Sequence, residues 1–332
     1  MAMPNDKERT SSCIIVGGGI AGLITATLLQ RENIEVTVLD KGRGIGGRLA
    51  TRRIDRGVFD YGAQYFSVKN PQFEPWVKEW LNKGIITRWC DKFTPEETSK
   101  PRYRGVISTR AIAKYLAQDL KVHTSTRVNR FSYQDSQWHV FTEAGERFIA
   151  DLLVLTPPVP QTLTLLEDSQ IALSKELATA LAEVSYHQCI AVLAVLDRPS
   201  KIPHPGGISL ENNPLIWLAD NYQKGISPTH SITMHADPEF SFKYWEQTNE
   251  EIAKILFEAA RLWIGDAQIV NYQIHRWRYS LPKTCYPEPY FALPDLPLVM
   301  AGDAFVAPKI EGAVLSAIAA ADYILHQRSK GH

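Results

Sequence analysis

Cysteine is scarce: there are four in 332 residues, Cys13, Cys90, Cys189 and Cys285, with no CxxC pair and no metal-ligand spacing. A disulfide framework and a thiolate metal centre are therefore not expected, and a reducing cytoplasm is the natural setting. Cys13 and Cys189 lie in apolar, strand-like runs, where buried thiols are expected. No sign of charge is in excess either. Lysine plus arginine equals aspartate plus glutamate at 36 each, so the electrostatic footprint of a nucleic-acid binder is missing. No apolar run is long enough to cross a bilayer, and the polar start MAMPNDKERTSS reads as neither a signal peptide nor a membrane span. The histidines are not grouped with other ligands as a metal site requires.

What the chain does carry is glycine in a particular register. The run Cys13-Ile-Ile-Val-Gly-Gly-Gly-Ile-Ala-Gly22 reads as a strand, a glycine turn and the start of a helix, and a second apolar run, Val36 to Leu39, ends on the acid Asp40. This is the register of a dinucleotide-binding unit. Gly17 permits the tight bend, Gly19 lets the backbone approach a pyrophosphate, and Gly22 lets the helix pack on the sheet. Ile20 and Ala21 open a helix whose free N–H groups face the phosphates. A carboxylate at Asp40 accepts hydrogen bonds from a ribose 2′,3′-hydroxyl pair and repels a 2′-phosphate, so FAD or NAD(H) suits this site better than NADP(H). A basic, glycine-rich stretch, KGRGIGGRLATRR, follows at once from Lys41 to Arg53.

Periodicity predicts a helix between Phe73 and Trp89 with Trp76, Trp80 and Leu81 on one side, and another from Val106 to Leu120 with Ile112, Tyr115 and Leu116 on one face. Three alternating runs follow, Val122 to Phe131, Trp138 to Phe141 and Phe148 to Leu155, the last stopped by Thr156-Pro157-Pro158. Their spacing predicts a three-stranded meander that returns the chain to the main sheet. The character then changes to a helix near Ala172 to Val184, strand-like runs over 187–196, 206–219 and 231–236, and a helix from Ser241 to Trp263. Gln268 to Trp277 and Leu298 to Gly302 read as further strands, and Lys309 to Leu325 as a small-residue helix. Single cores usually stop growing near 250–300 residues, so two domains are expected. The nucleotide-binding domain is read as 12–70, 100–167 and 269–329, and an inserted domain as 71–99 and 168–268.

With these pieces in order, the sequence resembles the flavin-containing amine oxidase superfamily, most closely its renalase-like branch. The motifs that carry the resemblance are GGGIAG at 17–22, Asp40, GRGIGGR at 42–48, FDYGAQYF at 59–66, HADPEFS at 235–241, HRWRYS at 275–280 and AGDAFVAPKIEGAVLSA at 301–317. The branch rests on YGAQYF, HADPEFS and HRWRYS. The resemblance spans nearly the whole chain and implies an α/β fold: a Rossmann-type FAD-binding domain with an inserted α+β substrate domain, in the p-hydroxybenzoate hydroxylase or amine oxidase-like architecture. It implies noncovalent FAD, because Cys285, the cysteine nearest the C-terminal motif, lies in a Pro-rich loop. It places Asp40 on the adenosine ribose with Arg43 as a helper, and Arg48 on a phosphate or the flavin-side wall. Asp303 falls on the ribityl or diphosphate region, and the backbone from Ile310 to Gly312 falls near flavin N1 and O2. Lys41, Gly47, Ala63, Gln64, Val128, Gly302 and Ala313 complete the implied cofactor contacts. Arg52, Arg53 and Arg56 read as a solvated loop.

The residues expected to face substrate are Gln64, Tyr65, Trp217, His235, Trp277 and Tyr279. His235 is expected to position the substrate, and Trp217, Trp277 and Tyr279 to form a flat cage over it, although Trp217 fits a core position equally well. His187 and His275 read as strand-end residues that orient backbone. The lysine that amine oxidases of the superfamily place near flavin N5 has no clear counterpart, since Lys243 follows HADPEFS and Lys283 sits in a loop. The branch implies oxidation of the 2- and 6-dihydro isomers of NAD(P)H to NAD(P)+, with dioxygen reoxidising the flavin and giving hydrogen peroxide. The expected partners are a dihydronicotinamide dinucleotide, or another small planar substrate, and dioxygen. An amine oxidase or FAD-dependent desaturase, and a noncatalytic FAD-stabilised binding protein, stay open as alternatives, as does the oligomeric state.

Overall fold

Short, almost continuously apolar strands build the main sheet. A computed structural model describes residues 11–211 and 213–330; the reading of the N-terminal segment as neither signal nor span lies outside the described residues. Six strands run in the order Phe291–Ala292, Leu298–Met300, Leu152–Leu155, Ser12–Val16, Glu35–Leu39 and Lys121–His123. All neighbours are parallel except the pair at the Phe291–Ala292 edge. Both faces are buried, which is why the strands read as unbroken apolar runs. Cys13, Ile15, Val36 and Val38 meet Ala26 and Leu29 of the helix Ile20–Arg31 and Ala320, Ala321 and Ile324 of the helix Ile310–Lys330. Ile14, Val16 and Leu39 meet Phe131, Trp138 and Val140 on the opposite side.

Phe131, Trp138 and Val140 belong to the meander, which forms with different limits from those the alternation predicts. Its strands are Val128–Gln134, Gln137–Thr142 and Arg147–Ala150. The ends of the predicted runs are diverted: Lys121–His123 and Leu152–Leu155 join the main sheet, where they pair with Glu35–Leu39 and Ser12–Val16. Helices are also shorter than their periodicity. The first ends at Asn82, past which Gly84 takes φ +66°, and Ile86–Cys90 is a strand. Leu81 on that helix is 37% exposed while Trp80 is fully buried, so the predicted apolar side is narrower by one residue. The predicted helix over 106–120 is reduced to Arg110–Leu116. The predicted helix over 241–263 is three, Pro238–Lys243, Asn249–Ala259 and Arg261–Ile264, because Thr248 and Glu251 close a capping box that starts a new helix.

The second sheet has five antiparallel strands in the order Gly207–Ser209, Leu215–Asp220, Ser231–Ala236, Tyr186–Leu196 and Ile269–Pro282. The predicted run over 206–219 is therefore a hairpin of two strands. Residues 269–282 lie here and not in the nucleotide sheet, paired with Tyr186–Leu196 over ten residues of register. As an edge strand this segment carries the polar or charged Asn271, Gln273, Arg276 and Arg278, a composition that suits an edge. One face of the sheet, with Ile190, Val192, Leu218, Ile232 and Met234, packs on the helices that carry Ile252, Leu256 and Ile264. The other face meets two hairpins, Thr51–Ile54 with Gly57–Asp60 and Ile86–Cys90 with Arg102–Gly105.

The joint between sheet and hairpins is an ion pair with no exposed surface. Lys224 Nζ lies 3.1 Å from Asp60 Oδ2, and both side chains are 0% exposed. Asp60 also accepts from Thr51 Oγ1 at 2.7 Å, Thr109 N at 3.0 Å and Thr109 Oγ1 at 2.8 Å, which brings its carboxylate to about four donors, its full capacity. Burial lowers the pKa of Lys224, and Asp60 opposes that shift. Removing one partner of such a pair leaves an uncompensated buried charge, at a cost of about 3–5 kcal/mol. Asp60→Asn is expected to destabilise the protein by about that amount in urea unfolding, and Lys224→Met added to it to recover a large part of the loss. Additive losses in the double variant would show that the two charges do not support each other.

Candidate functional site

The glycine loop has the geometry its sequence requires. Gly17 sits at φ +111°, a Cβ on Gly22 would come within 2.0 Å of the Gly17 carbonyl, and a Cβ on Gly19 would meet nothing within 4 Å. The first two positions forbid side chains for the fold's own sake, whereas Gly19 opens on free space at the start of the helix that begins with Ile20 and Ala21. That open cradle, at the N-terminal end of a helix with no acidic residue in its first turn, fits a pyrophosphate. Asp40 closes the loop from below, its two oxygens accepting from Gly18 N and Gly42 N at 2.6 Å each. Each oxygen keeps a second lone pair for a ribose hydroxyl. The second glycine stretch lies directly on the first: Gly46 N donates to Gly18 O at 2.8 Å, and Gly47 stands over Gly19.

The remaining expected cofactor residues divide. Lys41 Nζ donates to Gln161 Oε1 at 2.7 Å, and Arg43 is exposed at the loop surface. Val128 is 5% exposed and its side chain is part of the main core, which leaves only its backbone for a ligand. Ile310, Gly312 and Ala313 form the buried first turn of the C-terminal helix. Gly302 N donates to Ser316 Oγ of the same helix. Arg48 closes its guanidinium fork on Asp303, at 2.6 and 2.7 Å, and also donates to the Ser280 carbonyl at 3.2 Å. Two residues assigned separately to the cofactor thus form one bidentate pair that ties the glycine stretch to the C-terminal motif. Tyr186 lies beside them, its hydroxyl pushed up to about 12 by burial and then by the Asp303 carboxylate.

Segment 61–65 passes from this pair to the second sheet. Ala63 N donates to the Arg48 carbonyl and Tyr61 N to that of Ala50. On its far side the Tyr61 carbonyl accepts from His235 Nε2 at 3.0 Å and from Trp277 Nε1 at 2.9 Å. Strand register explains why these two meet one oxygen. Trp217 opposes His235, His235 opposes Ala191, and Ala191 opposes His275, so a row across four strands points to one face. Trp277, two residues beyond His275, shares that face. The ring of Trp277 stacks on Tyr61 at 5.2 Å, and the Arg52 guanidinium lies over the Tyr61 ring at 5.1 Å. Arg52 also donates to Gln273 at 3.2 Å, so it is engaged at this face and is more than loop solvation.

The flat cage does not form as one unit. Trp277 packs on Tyr61, Tyr279 on Tyr186 at 5.6 Å, and Trp217 on Tyr65 and Phe93 at 5.5 and 4.9 Å. The reason is strand spacing, which holds Trp217 three strands from Trp277. Gln64 is 6% exposed and turns inward, donating to the Asp60 carbonyl at 2.6 Å while Lys224 lies 3.4 Å from its Oε1. Lys224 carries no local sequence signal: in the turn Asn221-Tyr-Gln-Lys-Gly225 it reads as a solvated lysine. Lys243 and Lys283, weighed from sequence, are both exposed. Among the described residues no group of three metal-ligating side chains occurs, and none of the helices is long and apolar enough to cross a membrane.

The electrostatics of the row are set by burial. Desolvation lowers the pKa of His235 to about 4, opposed by its bond to the Tyr61 carbonyl, and lowers that of His275 to about 4 with help from Arg52. Both rings are neutral near pH 7. Because a carbonyl can only accept, His235 carries its proton on Nε2.

A glycine-loop nucleotide unit joined to a five-stranded antiparallel sheet is the arrangement of a dinucleotide-dependent oxidoreductase. Residues 15–82 match the NAD(P)-binding Rossmann-like domain family, and residues 86–325 match the flavin containing amine oxidoreductase family. The chain belongs to the flavin containing amine oxidoreductase family and is an FAD-dependent oxidoreductase. It is similar to renalase of Mus musculus, at 25% identity over 342 residues that cover 93% of this chain and 97% of renalase. Hydroxyneurosporene desaturase of Rubrivivax gelatinosus is 36% identical over 61 residues, 18% of this chain and 12% of the desaturase. A putrescine oxidase redesigned in its cofactor binding shares the fold with a TM-score of 0.74 at 14% identity, over 96% of this chain and 99% of its own. An oxidoreductase from Methanosarcina mazei shares it with a TM-score of 0.66 at 14% identity, over 93% and 99%.

Two neutral, half-buried histidines make folding pH-dependent. Their pKa values are about 4 in the fold against 6.5 when solvated. The unfolded chain therefore binds more protons between those values, and stability is lost as the pH falls from 6.5 towards 4. In urea unfolding across that window, His235→Asn and His275→Asn are each expected to flatten the slope of stability against pH relative to wild type. Variant slopes equal to the wild-type slope would mean that neither ring is held neutral.

Proposed function

We propose that this protein oxidises the 2- and 6-dihydro isomers of NAD(P)H, holding its FAD noncovalently. The observation that carries the reading is the state of His235: neutral, with its proton committed to the Tyr61 carbonyl, on a sheet face whose second imidazole, His275, is neutral as well. A bound flavin supplies the hydride acceptor and passes the electrons to dioxygen, giving hydrogen peroxide. The chain's own task is then to hold the donor flat and dry. A dihydropyridine that loses hydride becomes an aromatic pyridinium and sheds no proton, so it needs no base. A protonated amine needs one. Lys224, the buried lysine near the row, is committed to Asp60, and neither imidazole is poised near neutrality.

The walls suit a planar substrate. Tyr61 stacked on Trp277, and Tyr65 against Trp217, present aromatic surface on both sides of His235. On this reading Asp40 takes the adenosine ribose, Gly19 the pyrophosphate, and the first turn of the helix from Ile310 the pyrimidine edge of the flavin, which the open Gly19 cradle and the Asp40 lone pairs support. Noncovalent attachment is supported by the thiols. Cys13 and Cys189 are buried in strands, and burial, then Asp303, raises the pKa of Cys285, which keeps that thiol protonated. Four free cysteines agree with a cytoplasmic setting.

The test is anaerobic mixing of the yellow holoprotein with 2- and 6-dihydronicotinamide dinucleotides, ordinary NADH and simple amines, followed by acid precipitation to see where the flavin goes. Rapid loss of the visible flavin absorption with the two isomers alone, and flavin left in the supernatant, are expected. Reduction by amines alone would transfer the assignment to an amine oxidase.

A further inference from the structure

Trp217 and His235 oppose each other in register on neighbouring antiparallel strands, so their Cβ atoms are roughly 4.5–5.5 Å apart. Their hydrogen-bonding edges are complementary. Trp217 is 7% exposed, and its Nε1–H is buried with no acceptor among the described residues. An indole nitrogen is a donor only, and leaving it unmatched in the interior is destabilising. Three other indoles are matched to carbonyls, Trp89 to Pro205, Trp138 to Pro297 and Trp277 to Tyr61. Trp80 is unmatched too, but it lies among the apolar rings of Phe66 and Phe73, far in kind from a polar row. Beside Trp217 stands His235, whose Nε2–H is spent on Tyr61 O, leaving Nδ1 as an acceptor.

From this donor beside an acceptor, we infer that Trp217 and His235 together read a primary carboxamide, the indole N–H donating to its oxygen and Nδ1 accepting one of its N–H hydrogens. The inference rests on the dihydronicotinamide reading and deepens it, since that substrate carries such a group on its ring. The indole packs on the rings of Tyr65 and Phe93, and recognition requires these side chains to turn aside and open Nε1 to the substrate. A carboxylic acid in the same place sets a lone pair against Nδ1 and offers no donor. A methyl ketone keeps the bond to Trp217 and loses the one to His235.

The flavin-loaded protein is titrated with nicotinamide mononucleotide, nicotinic acid mononucleotide and 3-acetylpyridine mononucleotide, with binding read from the shift of the flavin spectrum and by calorimetry. Wild type is expected to bind the carboxamide at least about tenfold more tightly than the acid and roughly threefold to tenfold more tightly than the ketone, the range of one neutral hydrogen bond. Trp217→Phe is expected to weaken carboxamide and ketone alike and preserve their ratio, whereas His235→Leu abolishes that ratio. Flavin content shows whether each variant is folded, and the three ligands on wild type decide the question without any variant. Equal affinity for carboxamide and acid, or an unchanged carboxamide-to-ketone ratio in folded His235→Leu, overturns the inference. If dihydronicotinamide isomers reduce the flavin but no carboxamide preference exists, the recognition pair alone falls. If no isomer reduces the flavin and none of the three ligands binds, the substrate reading falls with it.

Discussion

The buried contact between Asp60 and Lys224 is the constraint on which the rest of the site hangs. Asp60 ends a hairpin strand, and Lys224 sits in the turn that follows a strand of the second sheet. Two charges removed from water are stable there only because donors saturate the carboxylate. Four of them come from Thr51, Thr109 and Lys224. Asp220 fixes the turn itself by accepting from Tyr222 N and Gln223 N at 2.9 Å. The geometry that follows is short-range. With Asp60 fixed, its carbonyl accepts from Gln64 and Thr233, and the next carbonyl, of Tyr61, faces the strand that carries His235.

Through that one stretch of backbone the glycine-loop cradle and the His235 face of the second sheet become a single object. Ala63 is bonded to Arg48, Arg48 to Asp303, and Asp303 opens the turn before the C-terminal helix. On the other side Tyr61 holds His235 and Trp277 in place. A displacement of the segment would therefore alter the Arg48–Asp303 ion pair and the His235 imidazole together. It also fixes the tautomer, since an imidazole held as a neutral Nε2–H donor to a carbonyl titrates poorly near pH 7.

Much of this was legible in the chain, and what was not has a common physical cause. The glycine loop, Asp40 and the small-residue C-terminal helix are specified by neighbours in sequence, and they stand where the motifs put them. The limits of the meander were misplaced because Lys121–His123 and Leu152–Leu155 are drawn into the main sheet by non-local pairing. The strand Ile269–Pro282 changed sheets for the same reason. The break in the predicted helix over 241–263 was readable, since Thr248 and Glu251 have capping-box spacing, but apolar periodicity masked it. The Asp60–Lys224 pair joins residues 164 apart, and a lysine before a glycine in a polar turn carries no sign of burial. The separate placement of Trp217, Trp277 and Tyr279 follows from strand order, which composition does not encode.

The central claim is that the Tyr61 carbonyl holds His235 as a neutral Nε2–H imidazole, and nitrogen NMR of histidine-labelled holoprotein tests it most directly. The predicted result is a His235 ring protonated at Nε2 and bare at Nδ1, with no titration as the pH is lowered from 8 to about 5, in keeping with a pKa of about 4. A ring that gains a proton near pH 6.5, or that carries its proton on Nδ1, would contradict it.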